Sequence, residues 1–103
     1  MMFPKQTRFR SQAFRELLRE IPCSECGAED GSVSAAHANW SDLGGKGKSL
    51  KASDSYCAAL CHACHCALDQ GSRMTFEERR DFWMRACVKT YATLLERGLL
   101  RIA

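Results

Sequence analysis

No apolar run in these 103 residues approaches the length needed to cross a bilayer, so nothing in the sequence points to a membrane protein. No signal peptide stands ahead of the cysteines, and their number, seven, is odd. Both features argue against a secreted disulfide scaffold and lead to the expectation of a reducing, cytoplasmic setting. Charge of one sign is not in large excess: the formal net charge is +3, which permits nucleic-acid binding without requiring it. Length is short as well. The chain reads as a single domain, residues 1–103, in which a hydrophobic core alone is marginal and a structural ion would be a large share of stability.

Metal-binding side chains are what the chain does have, at two compatible spacings. Cys23-Ser24-Glu25-Cys26 and Cys61-His62-Ala63-Cys64 are both C-x-x-C knuckles, and together they supply the four thiolates of a closed structural zinc site. Zinc affinity in small sites of this kind, roughly 10–16 kcal/mol, is folding energy. His65 and Asp69 are left over. In a helix that begins at the second knuckle they sit four apart on one face, either as two ligands for a second divalent cation or as a weak surface pair. Cys87 reads as an ordinary buried thiol and Cys57 and Cys66 as inert small residues, either of which could enter the zinc set if the pairing differs.

Basic residues are concentrated rather than spread. Lys5, Arg8, Arg10, Arg15 and Arg19 load the N-terminal segment, and Lys46, Lys48 and Lys51 crowd a glycine-rich loop; each group is either a solvated face or a phosphate-contacting surface. Residues 1–10 suit an extended arm. Ser11 can cap a helix whose stripe is Phe14, Leu17, Leu18 and Ile21, with Arg15, Glu16, Arg19 and Glu20 turned outward and Pro22 as its end. Val33 to His37 reads as a short strand and Ser55 to Leu60 as a second, antiparallel to it, so that the segment between the knuckles is a hairpin with a long tip. Trp40 reads as a partly buried anchor. Gly47-Lys48-Ser49 invites comparison with a P-loop, but Asp42 stands where a glycine is needed and no apolar strand leads in. A helix follows from about His62 to Gln70, stopped by Gly71. Thr75-Phe76-Glu77-Glu78 has capping-box spacing and opens a C-terminal helix over about 75–97, with Phe76, Trp83, Cys87, Tyr91 and Leu94 as a stripe packed on the first helix.

Strand, loop, strand and helix around metal ligands form a ββα unit. The outer C-x-x-C knuckles, a histidine ending the first strand, and Leu60-Cys61-x-x-Cys64-His65 leading into the helix resemble the HNH, or ββα-metal, nucleases. Within that group Ala36-His37, the Gly-Lys-Gly loop, Ser53-Asp54 and Cys64-His65-x-x-x-Asp69 are most similar to the small YbcO-like nucleases of phages and prophages. The likeness spans a core of about residues 20–71. It implies a zinc-bound ββα-metal, treble-clef-like core within an α+β fold, flanked by N-terminal and C-terminal helices.

That resemblance also implies roles. His37 would be the general base that takes a proton from water. His65 and Asp69 would hold a second divalent cation, Mg2+, Mn2+, Ni2+ or Zn2+, beside the scissile phosphate. Where HNH nucleases commonly carry an aspartate or histidine before the catalytic histidine, this chain has Ala36. Tyr56 occupies the place of the motif's asparagine; Asp54 is the nearest polar residue, Asn39 the next, and Asp54 is expected in the site, positioning His37 or ligating metal. The function expected is a metal-dependent endonuclease hydrolysing phosphodiester bonds of DNA, or of RNA, in a bacterial host cytoplasm. It would serve recombination or DNA processing, and a homodimer suits an enzyme that cuts both strands. Arg8, Arg10, Lys46, Lys48 and Lys51 would contact the nucleic acid. The competing expectations are a zinc module that binds nucleic acid or a protein without cutting, and a purely structural phage protein.

Overall fold

Each helix begins where a side chain satisfies the first orphan amides. Ser11 is extended (φ −149°) and its hydroxyl accepts the Phe14 N–H, and Thr75 and Glu78 exchange the two bonds of a capping box. The computed structural model describes residues 9–40, 53–70 and 73–102. Among them the order is α1 (Gln12–Leu18), β1 (Ser34–His37), β2 (Cys57–Leu60), α2 (His62–Gln70) and α3 (Phe76–Glu96), a small α+β fold of three helices and a two-stranded sheet. No helix among these residues is long and apolar enough to cross a membrane.

The strands pair antiparallel with Ser34 opposite Leu60 and His37 opposite Cys57, as the hairpin reading requires. Both are shorter than expected, since Val33, Ser55 and Tyr56 fall outside the ladder. The first helix also stops early, at Leu18, although Ile21 beyond it is still buried. α1 lies on β1, α2 against β2 and α3, and α3 along β2.

The free edge of β2 is closed by two side chains of α3 and one backbone amide of the first knuckle. The Ala59 N–H donates to Thr90 Oγ1 at 2.9 Å, the Ser24 N–H donates to the Ala59 carbonyl at 2.8 Å, and the Cys87 thiol donates to the Cys57 carbonyl. An edge that would otherwise offer unpaired backbone groups is thereby occupied. Thr90 passes its own proton to the Ala86 carbonyl at 2.7 Å, so at the 2.7 Å contact between the two hydroxyls Ser24 is the donor. These bonds dock the first knuckle two residues from Cys61.

Two expectations for α3 are corrected. Its main partner is β2, not α1, which it meets through Phe14 and Tyr91, whose rings stack at 6.1 Å. Phe76 is 62% exposed, and the buried stripe is Trp83, Ala86, Thr90 and Leu94. The reason is length: a helix of 21 residues runs about 31 Å, whereas a four-residue strand covers about 13 Å, so the first turns overhang the sheet. Phe76 meets Trp40 in a T-shaped contact, ring centroids 6.5 Å apart. Trp40 is itself buried, tilted against Trp83 at 5.4 Å, and more deeply placed than a partly buried anchor. The glycine-rich loop, with Lys46, Lys48 and Lys51, and the arm with Arg8 lie outside the described residues.

Candidate metal centre and histidine site

The two knuckles converge. The first is a tight turn in which Gly27, at φ +79°, donates to the Cys23 carbonyl at 2.9 Å while Cys23 N–H donates to Ala28. The second sits at the entry of α2, whose His62 amide is capped from across the hairpin by Ser32 Oγ at 2.9 Å. The sulfurs of Cys23, Cys26, Cys61 and Cys64 all lie within 4.8 Å of one another, with Cys26 and Cys61 at 3.6 Å. A tetrahedral zinc with Zn–S of about 2.3 Å sets its sulfurs about 3.8 Å apart. The cluster therefore has the spacing of a zinc site, and the four-cysteine set can hold a structural ion.

The protonation chemistry of these thiols agrees. Burial raises the Cys23 thiol, but backbone N–H groups of Cys26, Cys61 and Glu25 outweigh it and bring it down to about 6. Burial and the neighbouring sulfurs push Cys64 the other way. One thiolate thus forms readily and makes the next harder to form, a conflict that a divalent cation at the centre removes.

The second site is built on a buried carboxylate. Asp54 is fully buried. Its Oδ1 meets His37 Nε2 at 2.7 Å and Arg10 at 3.5 Å, and its Oδ2 accepts from the Ser11 N–H at 2.7 Å and from Arg15 at 2.6 Å. The backbone is strapped at the same place, because Asp54 N–H donates to Phe9 O at 2.8 Å and Phe9 N–H donates to Ser53 Oγ at 3.0 Å. Burial alone would raise the Asp54 carboxyl; the His37 and Ser11 hydrogen bonds and the Arg15 charge reverse this and hold it below the usual carboxylate range. An ionised carboxylate only accepts, so in the neutral imidazole Nε2 carries the proton and Nδ1 keeps the lone pair.

Cys57 completes a group in which one ligand atom each from His37, Asp54 and Cys57 lie within 4.8 Å of one another. It is a poor cation site. Burial, followed by the Asp54 charge, pushes the Cys57 thiol up to about 12, so it stays protonated. Both oxygens of Asp54 already face arginines, whose charge opposes a metal. The trio is better suited to orienting His37.

His65 and Asp69 are brought together on α2, Nε2 to Oδ2 at 3.2 Å, on the exposed side of the helix. No third His, Cys, Asp or Glu among the described residues joins them within metal-ligand reach. One turn away, Cys66 Sγ lies 3.5 Å from His62 Nε2. Arg10, expected at the nucleic acid, is instead partly turned to Asp54 with its side chain 41% exposed. The sequence reading missed Ser11 and Arg15 as supports of the histidine site, since both reach Asp54 across some forty positions and no local spacing announces such a bond.

Residues 1–98 match the family described as a protein of unknown function, DUF968. The chain belongs to this family. Comparison with curated proteins found no match, and comparison with solved structures found none either. Because the family match spans the knuckles, His37, Asp54 and all of α3, the geometry above lies inside the matched region.

Proposed function

We propose that this chain is a metal-dependent endonuclease of the HNH, ββα-metal type, cleaving phosphodiester bonds of DNA. The observation that supports this reading is the pairing of His37 with the buried, multiply held Asp54 at the end of β1. A general base needs a fixed ring, a defined tautomer and a free nitrogen. Asp54 supplies the first two by accepting the Nε2 proton, and Nδ1 is then the atom that takes a proton from the attacking water. His65 and Asp69, one helical turn apart on α2, are the pair that would hold a divalent cation, which when bound polarises the phosphate and stabilises charge on the leaving oxygen. The four cysteines keep the hairpin and α2 together around this arrangement.

One observation favours the alternative, a zinc module that binds nucleic acid without cutting. His65 and Asp69 bond each other and have no third ligand within reach among the described residues, so a catalytic cation would depend heavily on phosphate and water. Nicking of supercoiled plasmid in the presence of magnesium, manganese, nickel or zinc separates the two. Cleavage lost in His37→Ala, with zinc content and DNA affinity retained, is the expected result; no cleavage with any metal leaves the binding module.

A further inference from the structure

A cavity of about 410 Å³ lies between α1 and β1, lined by Gln12, Arg15, Glu16 and Arg19 on one side and by His37 and its strand neighbours on the other. Two guanidinium groups four positions apart thus open onto the same space as the imidazole. Arg15 gives an N–H to Asp54, but a guanidinium carries five, so donors remain for a ligand. Arg19 caps α1 through its backbone and makes no ion pair among the described residues. Among the described residues the one anion on the wall, Glu16, is bonded to the neutral amide of Gln12 at 3.1 Å.

We propose that this cavity is a phosphodiester subsite for a nucleic-acid strand, in which Arg19 and Arg15 hold a backbone phosphate next to the one facing His37. The choice of ligand rests on the nuclease reading above. Planar guanidinium forks match the paired free oxygens of a phosphodiester, and the cavity places them beside the proposed base. Glu16 opposes such a ligand by charge, so Arg19 and Glu16 act on one phosphate with opposite signs. A helix face lying away from the strand leaves both substitutions with only a small, screened effect.

The test uses the full zinc-loaded chain with no second metal added and short fluorescein-labelled probes: single-stranded DNA, RNA of the same sequence, and duplex DNA. Fluorescence anisotropy is read across a salt series. Arg19→Gln is expected to weaken binding about tenfold and to reduce the slope of log K against log salt by about 0.7 on single strands or about 0.9 on duplex. Glu16→Gln is expected to strengthen binding about threefold. Both side chains lie at the surface, and zinc content with circular dichroism verifies the fold. The probe bound most tightly identifies the strand type.

Unchanged affinity in both variants, shifts of the same sign, an unaltered salt slope in Arg19→Gln, or no binding of any probe at low salt each overturns the subsite. The two proposals fail separately. If no probe is cut under any metal while the variants move affinity in opposite directions, the nuclease reading falls and the subsite stands. If cleavage depends on His37 while both variants leave affinity and KM unchanged, the subsite falls and the nuclease stands.

Discussion

Replacing Asp54 by asparagine isolates the carboxylate that joins the N-terminal segment to the hairpin, because shape is kept while one of two acceptor oxygens becomes a donor. Oδ1 serves His37 and Arg10, and Oδ2 serves the Ser11 amide and Arg15. The amide satisfies most by leaving its oxygen on Ser11 and Arg15 and turning its NH2 to His37. A hydrogen bond to a charged group is worth roughly 1.5–3 kcal/mol, and the loss of charge opposite arginines that are about two-fifths exposed adds at most about 1 kcal/mol. The expected cost is about 3 kcal/mol, and at about 4–8 °C per kcal/mol the Tm falls by about 12–24 °C. With a total stability of about 5–15 kcal/mol the variant still folds.

The NH2 also donates to Nε2, which moves the imidazole proton to Nδ1, so cleavage should fall by about 10²–10⁴ even at temperatures where the variant is folded. An acid series gives an independent check. The folded pKa of Asp54 lies below its ordinary value of about 3.9, so its stabilisation is complete above that value and is lost as pH falls through the depressed folded pKa. The gap in Tm between wild type and Asp54→Asn should be flat above about pH 5 and should close below about pH 4. A variant that melts with wild type at neutral pH, or a gap that persists undiminished in acid, refutes the assignment of Asp54 as the ionised clamp.

Cys64→Ser, or chelation of the wild type, should unfold the domain, with elemental analysis finding about one zinc per folded chain; a well-folded metal-free protein speaks against the four-cysteine site. Thr90→Val strips the hydroxyl that serves Ala59 N–H, Ser24 and Ala86 at once, and should cost about 1–3 kcal/mol in a denaturant titration, with Thr90→Ser recovering most of it. Asp69→Ala should lose cleavage in a way that high concentrations of divalent cation partly restore, whereas His37→Ala should not be restored, so identical metal titrations for the two would separate neither role and count against both. Replacing Lys46 and Lys48 together by alanine should flatten the salt dependence of duplex binding by about two contacts of about 0.9 each, and an unchanged slope makes that loop a solvated charge run.

What the sequence determined by itself is what lies within a few positions along the chain. Ser11 and the Thr75–Glu78 box mark helix starts because a cap reaches only two or three residues ahead. The knuckles are legible because two thiolates on one ion demand a tight turn, and Gly98, at φ +71°, closes α3 where a left-handed residue was needed. His65 and Asp69 were paired by helical spacing alone.

Tertiary structure decided everything that depends on contacts across the chain. Asp54 became the clamp of His37 because Ser11, Arg15 and the Phe9 backbone meet it from some forty residues away. Cys57, an unremarkable small residue in sequence, came to lie beside them because it stands opposite His37 in the strand register. Phe76 fell off the buried stripe because helical period says which face a residue occupies but not where the sheet beneath it ends. Arg15 and Arg19, outward by periodicity, face a cavity because the outward side of α1 adjoins β1 at the histidine. Spacing reports local geometry, and the packing of α1 and α3 on a hairpin of two four-residue strands assembled those local pieces into a site.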